Sequence, residues 1–481
     1  MLEIENLIAG QRSKAISGRQ FDKIAPASGE VLAKVAASDH NDVDRAVLAA
    51  HDALHRGLWA NASGASRARW MLKLADLVER DTDELIALLA DEQGRPAHEI
   101  RMMDLPMSVE TLRYFAGWAD KIEGRTIPTD GFAGCPTLNY TRRVPIGVAA
   151  QIIPWNAPLM IAVWKLAPAL AAGCVVVLKP SEDAPLAVAH LGELIREAGI
   201  PDGVVNIVHG FGAEVGAALV RHPLVRKVSF TGSTEVGRAI ASEAARTFKR
   251  VTLELGGKAA QIVFSDADLS QVIPGLALGM FVNQGQTCAA GSRVVVHRSL
   301  KQEVESRLVQ AARDIHVGPP SDPNARMGAL INQRHYERVR ALIDGAIEDG
   351  ANRIAGAERV PSSGWFVRPT ILTDVRPDMA IARDEIFGPV GVVIPFDDED
   401  EAVRIANDTS FGLSASLWTK DLGTAHRVAA RLDVGAVAIN CWSPLDARLP
   451  WGGMKDSGIG RDLSRAALDS YLEEKLVTAL F

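Results

Sequence analysis

A cysteine among small and polar residues is the first candidate for chemistry. Cys288 stands in the segment Asn283–Arg293 (NQGQTCAAGSR), where glycines on both sides let the backbone approach a ligand. A thiolate is a strong nucleophile when its pKa is lowered or a base lies near it. Free cysteines are also among the most frequently buried residues. The segment alone therefore leaves a catalytic and a structural interpretation open.

Two other polar side chains interrupt apolar segments. Glu254 lies in a strand-like apolar run, where a carboxylate is costly unless it is paired or protonated. Glu254 either forms a salt bridge with Lys258 or with an arginine, or it acts as a general base whose pKa is raised by burial. Asn156 lies between an apolar run and a helix. It either caps that helix or donates its amide to a developing oxyanion.

A glycine and a serine connect a strand to a helix in the segment Phe230–Gly237. The free backbone N–H groups at such a helix start form an anion site. The usual dinucleotide spacing GxGxxG is absent, and Gly210–Gly216 comes close with one residue too many. The glycine pattern therefore leaves dinucleotide binding undecided.

The elements that must position these residues alternate between short apolar runs and helical periodicity. The pattern predicts an α/β fold with a parallel sheet covered on both faces, which binds ligands at the carboxyl ends of its strands. The predicted strands are Gly147–Ile153, Cys174–Leu178, Val204–Val208, Lys227–Phe230, Val251–Leu253 and Ala260–Phe264, and the helices are Leu159–Ala172, Pro185–Ala198, Ala213–Arg221 and Thr234–Thr247.

The flanking regions complete the predicted organisation. The N-terminal part is predicted to be helical, with helices at Ala65–Arg80 and Asp83–Glu92, and a second α/β region follows Lys258. Ile122–Arg142 has the turn-rich pattern of a hairpin, and Leu472–Phe481 has the apolar pattern of a strand; both can face a partner copy. The elements of the second region are Lys301–Asp314, Gln333–Asp349, Val390–Ile394, Glu399–Asn407, Leu422–Leu432 and Gly435–Asn440.

Composition excludes several classes of protein. The 481 residues are 47% hydrophobic and carry a net charge of −7, which excludes a disordered chain and argues against nucleic acid as the partner. The four cysteines form no CxxC or zinc pattern, so no metal is predicted and a reducing compartment is favoured. The acidic start does not resemble a secretion signal, and prolines interrupt the uncharged stretch Val144–Trp164. We therefore expect a cytoplasmic protein that does not bind a membrane.

Seven sequence blocks, taken in order, resemble the aldehyde dehydrogenase superfamily. The resemblance implies a Rossmann-like nicotinamide-binding domain (1–123 and 146–256), an α/β catalytic domain (257–456) and a small β oligomerisation element (124–145 and 468–481). It also implies a homodimer or homotetramer. The blocks are Pro154–Asn156, Lys179–Glu182, Phe230–Ser233, Leu253–Lys258, Gln284–Cys288, Glu385–Val390, and Pro450–Lys455 with Ser457–Arg461.

The resemblance also implies a mechanism. Cys288 would attack the aldehyde, Asn156 and the Cys288 N–H would stabilise the oxyanion, and Glu254 would activate the water that releases the acid. The branch of the family that transfers the acyl group to coenzyme A lacks this glutamate, so release by water is expected.

The cofactor implied is NAD, with NADP possible. A carboxylate at Glu182 repels a 2′-phosphate, which favours NAD. Many members have Gln and Lys where this chain has His335 and Arg338, so ribose contacts there stay open. The implied cofactor residues are Pro154, Trp155, Lys179, Ser181, Glu182, Gly212, Gly232, Ser233, Leu255, Glu385 and Phe387.

Two interpretations of the substrate compete. Tryptophans can line a tunnel for aliphatic, aromatic or betaine-type aldehydes. Arg448 can instead bind the carboxylate of a semialdehyde, although Asp446 lies two residues away and can neutralise it. We expect an uncharged aldehyde. The implied tunnel residues are Ile161, Trp164, Thr287, Trp442, Arg448 and Trp451.

A protein of another class remains possible from the sequence. A cysteine hydrolase or acyltransferase would share Cys288 and Glu254. It would not explain the segments Lys179–Glu182 and Glu385–Val390. A non-catalytic role would be favoured by loss of the cysteine or the glutamate, and both are present.

Overall fold

Helices and strands alternate along most of the chain. The computed structural model describes residues 2–358, 360–361 and 363–481, so Met1, the first residue of the predicted nicotinamide-binding segment, lies outside them. The α-helices are α1 His40–His55, α2 Gly57–Ala60, α3 Gly64–Arg80, α4 Thr82–Gln93, α5 Ala97–Met102, α6 Asp104–Ala116, α7 Pro158–Ala172, α8 Leu186–Ala198, α9 Ala217–Arg221, α10 Thr234–Ala245, α11 Leu269–Phe281, α12 Lys301–Asp314, α13 Gln333–Glu348, α14 Ala380–Arg383, α15 Glu399–Asn407, α16 Leu422–Arg431 and α17 Ser464–Asp469.

The strands form two large sheets and three small ones. They are β1 Leu2–Ile4, β2 Asn6–Ile8, β3 Gln11–Ser13, β4 Gln20–Ile24, β5 Val31–Ala36, β6 Thr137–Pro145, β7 Val148–Ile152, β8 Val175–Lys179, β9 Val205–Ile207, β10 Val225–Thr231, β11 Arg250–Glu254, β12 Ala260–Val263, β13 Arg293–His297, β14 Asn352–Ala355, β15 Thr370–Thr373, β16 Val390–Phe396, β17 Phe411–Gly412, β18 Ser414–Trp418, β19 Ala436–Ile439, β20 Met454–Lys455, β21 Gly458–Ile459 and β22 Leu472–Leu480. Within the described residues, no helix is both long and apolar enough to cross a membrane.

The first large sheet has the order β21-β11-β10-β7-β8-β9-β2-β3, and its central strands β11, β10, β7, β8 and β9 are parallel. The bounds of each strand predicted for this sheet differ by at most two residues from those of an observed strand. Helix α7 covers this sheet and is buried along its whole length, because its residues are apolar apart from Lys165. It begins with Pro158, which suits the first turn of a helix, and ends at Gly173 in the left-handed region (φ 89°).

The second large sheet has the order β14-β15-β16-β13-β12-β18-β19. Its strands β15, β16, β13, β12, β18 and β19 are parallel to one another. Helices α12, α13, α15 and α16 lie close to their predicted positions in this region. The predicted α/β fold class is confirmed. The boundaries of the three predicted domains stay a prediction.

The third unit is a two-stranded ribbon. Strand β22 pairs antiparallel with β6, from Leu472 opposite Pro145 to Leu480 opposite Thr137. On the other side of β6, residues 125–127 return beside residues 139–141, with Ile127 N bonded to Asn139 O at 2.9 Å. The predicted hairpin segment therefore supplies one strand to a ribbon completed by the last strand of the chain.

The N-terminal prediction is wrong for residues 2–36, which contain strands β1–β5, and the helices begin only at His40. Strand β2 joins the first large sheet, where Leu7 pairs with Ile207, two hundred residues away. Strands of three to six residues carry little periodicity of their own, so their pairing is decided by tertiary contacts.

Candidate active site

Four neighbouring parallel strands of the first sheet end at the same edge. Ile152 of β7 pairs with Lys179 of β8 and with Phe230 of β10, and Thr231 pairs with Glu254 of β11. Because the strands are in register, the residues that follow them meet above this edge. The predicted site blocks therefore come together in space although they lie far apart in sequence.

A cavity of about 530 Å³ opens at this edge, within the size range of small-molecule sites. Nine of the predicted site residues line it: Pro154, Trp155, Asn156, Gly232, Ser233, Leu255, Cys288, Glu385 and Phe387. The sequence did not point to several others, which include Asp183, Ile331, Asn332 and Arg334. We call this cavity the cleft.

Four predicted cofactor residues do not line the cleft. The Lys179 ammonium is buried and donates to Pro180 O at 2.9 Å and to Glu182 Oε2 at 3.2 Å. Asp183 N donates to Ser181 Oγ at 3.2 Å. Gly212 begins a π-helical turn, Gly212–Gly216, and a Cβ on Gly212 would meet no atom within 4 Å.

A left-handed turn positions Cys288. Asn283 and Gln284 adopt φ values of 51° and 56°, which are uncommon for residues with side chains. The turn is held by Asn283 N, which donates to Glu99 Oε2 at 3.0 Å, and by Asn283 Nδ2, which donates to Asn156 O at 2.7 Å. The turn before the cysteine is thereby tied to Asn156. Cys288 itself is half-buried.

Two glycines let the cysteine and a carboxylate approach the end of β11. A Cβ on Gly257 would lie 2.2 Å from Cys288 O, and one on Gly256 would lie 2.7 Å from Glu385 Oε2. The Glu385 side chain is held there because its Oε1 accepts from Gly257 N at 2.9 Å. Burial raises the pKa of Glu385 to about 7, while the Gly257 N–H and the charge of Arg338 act in the opposite direction.

The thiol of Cys288 is held in its protonated form. Burial, followed by the charges of Glu385 and Glu254, raises its pKa to about 12, and the backbone N–H groups of Cys288 and Ala289 oppose this change. The sulfur therefore needs a nearby proton acceptor before it can act as a nucleophile.

Glu254 is a buried carboxyl group without a hydrogen-bond partner among the described residues. Its pKa is raised well above its ordinary value, first by burial and then by the charge of Asp462, and Lys165 lowers it in part. The salt-bridge interpretation is wrong, because the Lys258 ammonium is buried and likewise has no partner in the described chain.

A buried ion pair lies behind Glu254. Lys165 Nζ of α7 bonds Asp462 Oδ2 at 2.8 Å and Ser229 Oγ at 3.2 Å. Neither Lys165 nor Asp462 was identified from the sequence. A lysine in an otherwise apolar helix was the available signal for Lys165, whereas nothing local distinguishes Asp462.

The helix-cap interpretation of Asn156 is also wrong. The N-cap of α7 is Ala157, and no side chain accepts a hydrogen bond at this helix start. Asn156 is 7% exposed and lines the cleft beside Cys288. Its amide is therefore not used to start the helix.

A second, larger cavity of about 760 Å³ is walled by α5, α6, the first turn of α7 and the segment 443–448. Met160 lies in the first turn of α7, just after Asn156. Trp442 precedes the wall segment 443–448 and donates from Nε1 to Ala289 O at 3.1 Å. We call this the methionine cavity, after its lining: Met102, Met103, Pro106, Met107, Glu110, Arg113, Tyr114, Met160, Ser443, Leu445, Asp446, Ala447 and Arg448.

The predicted tunnel residues are distributed differently. Of the six, Arg448 lines the methionine cavity. Ile161, Trp164 and Trp451 are buried, and Thr287 and Trp442 are half-buried. The methionines were missed, although three of them fall within the short apolar stretch Met102–Met107.

The cleft has features that fit a dinucleotide. Ser233 caps the twelve-residue helix α10, whose free N–H groups suit a pyrophosphate. Thr231 Oγ1 is buried in the cleft wall, has no hydrogen-bond partner among the described residues and can bond a ligand. Among the described residues, the group with metal-binding geometry is Asp81, Glu84 and His190, which lines neither the cleft nor the methionine cavity.

Comparison with known proteins agrees with this geometry. Residues 13–477 match the family model described as "Aldehyde dehydrogenase family". The chain is 46% identical to human retinaldehyde dehydrogenase 3 (96% of this chain, 90% of the relative) and 44% identical to the mitochondrial benzaldehyde dehydrogenase of Antirrhinum majus (98% and 88%). It superposes on an NAD+ complex of the Bacillus cereus aldehyde dehydrogenase with a TM-score of 0.97 and 45% identity (100% and 97%). The chain belongs to the aldehyde dehydrogenase family.

Proposed function

We propose that this aldehyde dehydrogenase oxidises an uncharged aldehyde to the carboxylic acid with NAD, through a covalent bond to Cys288. The observation that carries the proposal is the cleft, where Cys288 and Asn156 line the same cavity as Glu385 and Phe387. The Bacillus cereus relative that superposes on the whole chain binds NAD+. The cleft is the part of this chain that suits the same cofactor.

In the first step Cys288 adds to the aldehyde carbon. The thiol proton leaves to water in the cleft as the carbon–sulfur bond forms. The new oxyanion receives hydrogen bonds from the Asn156 amide and the Cys288 backbone N–H. The product is a thiohemiacetal.

Glu385, Phe387 and the start of α10 at Ser233 would hold NAD, which would supply the hydride acceptor. Loss of hydride from the thiohemiacetal carbon leaves a thioester on Cys288. Glu254 then takes a proton from water, whose oxygen attacks the thioester and releases the acid and the thiol. The unpartnered carboxylate suits this task, since no hydrogen bond has to break before it acts. The Lys165–Asp462 pair sets its electrostatic surroundings.

Glu182 is the proposed determinant of NAD preference. Its side chain is about one third exposed and is held by the buried Lys179 ammonium at 3.2 Å. A fixed carboxylate can accept hydrogen bonds from a ribose diol and repels a 2′-phosphate. The proposal thus places the adenine ribose outside the cleft, beside Lys179 and Glu182.

We predict that Glu182→Ser lowers the preference for NAD over NADP by about tenfold or more, because the repulsion is removed. The ratio of kcat/KM for the two nucleotides with one aldehyde measures it. Glu123→Ser, at an exposed position, is the control and should leave the ratio unchanged. An unchanged ratio in Glu182→Ser would show that the ribose is recognised elsewhere.

The methionine cavity supports an uncharged, largely apolar substrate. Methionines give a wide and adaptable apolar wall. Both arginines that line it are already paired: Arg448 Nε bonds Asp446 Oδ1 at 2.7 Å, and Arg113 bonds Asp76 and Glu79. Tyr114 is the aromatic residue in its lining, and a single ring gives little cation–π attraction for a quaternary ammonium group. The relatives named for retinaldehyde and benzaldehyde act on uncharged aldehydes.

We predict that octanal and benzaldehyde exceed succinic semialdehyde and betaine aldehyde in kcat/KM by at least about tenfold. Arg448→Ala should leave every one of these values within about twofold, since Asp446 already occupies the guanidinium. Met107→Arg should lower kcat/KM for octanal about tenfold and spare acetaldehyde. A preference for the semialdehyde that Arg448→Ala abolishes would favour a semialdehyde dehydrogenase instead.

We also propose that copies of the chain associate through the β6–β22 ribbon. The ribbon exposes apolar side chains, among them Leu476 (62%), Leu480 (58%) and the terminal Phe481 (74%). Deletion of residues 472–481 should yield monomers by light scattering, while the full chain should form dimers or tetramers. A monomeric full chain would refute this. The four free cysteines support the proposed reducing, cytoplasmic location.

A further inference from the structure

Two side chains of helix α13 bind three consecutive carbonyl oxygens in the cleft wall. His335 Nε2 lies 2.6 Å from Phe387 O. Arg338 donates from Nη1 to Ile386 O at 2.9 Å and from Nη2 to Glu385 O at 2.6 Å. A carbonyl oxygen only accepts, so His335 Nε2 carries the proton. Burial and the charge of Arg338 lower the pKa of His335 to about 4, so the ring stays neutral.

The helix that carries these side chains is itself anchored to the first sheet. His335 and Arg338 are three positions apart and therefore lie on one face of α13. The N-cap residue Asn332 accepts from His335 N at 2.8 Å and donates to Asp183 Oδ2 at 3.1 Å. Asp183 follows β8 and also lines the cleft. The start of α13 is thus joined to the residues that follow β8.

The segment that receives these bonds is in an uncommon conformation. Phe387 has φ 58°, in the left-handed region. The next residue, Gly388, packs so tightly that a Cβ there would lie 2.8 Å from Val339. The Phe387 ring lies 5.2 Å from the Trp155 ring at an interplanar angle of 87°, and His335 packs 5.5 Å from the same tryptophan. The His335 ring also lies 6.1 Å from the Phe387 ring, so α13 contacts both the backbone and the ring of Phe387.

We propose that His335 and Arg338 are positioning residues that fix Glu385 and Phe387 in the cleft through the backbone of residues 385–387. The pair acts before any ligand binds. It sets the affinity for the nicotinamide half of the cofactor because both side chains that it orients face the cleft. This inference rests on the proposed function, in which NAD occupies the cleft.

Both residues also line the cleft, so the competing explanation is direct contact with the cofactor. The two explanations differ in the free protein. Loss of the positioning bonds should loosen residues 385–391 without any ligand, whereas loss of a direct contact should not. Hydrogen–deuterium exchange of that peptide in the ligand-free enzyme separates them.

The experiment compares Arg338→Met, Arg338→Lys, His335→Leu and His335→Gln, with Arg340→Met as the matched control. Arg340 is an exposed arginine two residues further along α13 that bonds Tyr336. NADH affinity is titrated by fluorescence without aldehyde. We expect affinity to fall about 10- to 100-fold in Arg338→Met, about tenfold in His335→Leu, and by an intermediate factor in Arg338→Lys, which cannot reach two carbonyls at once.

His335→Gln keeps an N–H donor and should stay within about threefold of the parent enzyme. Exchange of residues 385–391 should quicken in the same order as affinity falls, with the thermal midpoint of the control unchanged. Weakened NADH binding with unaltered exchange would overturn the proposal in favour of direct contact, and unaltered affinity in Arg338→Met would overturn it outright. Failure of the parent enzyme to bind NADH would instead refute the proposed cofactor, and the exchange data would still decide the role of the two residues.

Discussion

Replacement of Cys288 by alanine should abolish aldehyde oxidation, with a loss in kcat of at least about 10³-fold, because no other group can form the covalent bond to the substrate. NADH binding should persist within about threefold, since the cleft keeps the rest of its lining. Steady-state NADH production with octanal and a fluorescence titration of NADH measure the two effects separately.

Cys441→Ala is the matched control for this experiment. Cys441 is an exposed free cysteine outside the cleft lining, so its removal should leave kcat within about twofold. Substantial turnover in Cys288→Ala would refute the nucleophile. Loss of both turnover and NADH binding would point to a disturbed cleft, and comparison with Cys288→Ser would then decide, because serine keeps the shape of the site.

The second large effect is expected for Glu254→Gln. Thioester hydrolysis should slow by about 10²- to 10⁴-fold, because the amide cannot take a proton from water. If Cys288 still receives a substrate, a burst of about one NADH per site should precede the slow phase. Stopped-flow NADH absorbance measures both phases. The loss of burst and steady state together would show that Glu254 also takes the thiol proton, whereas normal turnover would exclude it as the base.

The pH dependence tests the same residue. The base is the carboxylate, so the hydrolytic rate of the parent enzyme should rise with pH through the raised pKa of Glu254, and this rise should vanish in Glu254→Gln. Glu123→Gln, at an exposed position, should keep it.

The stability of the folded protein should fall as the pH rises, whereas the hydrolytic rate should increase. A carboxyl group whose pKa is raised in the folded protein costs stability as the pH rises above its unfolded pKa of about 4.3. The cost grows by about 1.4 kcal/mol for each pH unit until the pH reaches the folded pKa. The thermal midpoint of Glu254→Gln relative to the parent should therefore be higher at pH 8 than at pH 4. This comparison also verifies that the variant folds.

Local sequence was sufficient for most of the scaffold. Strands β7, β8, β10, β11 and β12 were predictable because continuous β-branched runs bounded by turns carry their signal within a few residues. Strands β1–β5 were not, since they are short and are stabilised by partners far along the chain.

The residues of the site also differ in how far the sequence alone identifies them. Cys288, Glu254 and Asn156 stand out in sequence because each residue type conflicts with its surroundings. The interpretations of Glu254 as an ion-pair partner and of Asn156 as a helix cap could be rejected only from three-dimensional contacts. The methionine cavity could not be predicted from the sequence either, because its wall combines α5, α6, α7 and the segment 443–448, which only the tertiary structure brings together.

Sequence by itself determined the α/β class, the family resemblance and the candidates for the reactive groups, because these depend on residue type and short-range spacing. Tertiary structure alone decided which charges are left unpaired. Lys165 bonds Asp462, 297 residues away, and Glu254 has no hydrogen-bond partner in the part of the chain that the structure describes. His335 and Arg338 reach carbonyls about fifty residues away. Burial and pairing are properties of the packed chain, and they set the pKa values and the positions on which the chemistry depends.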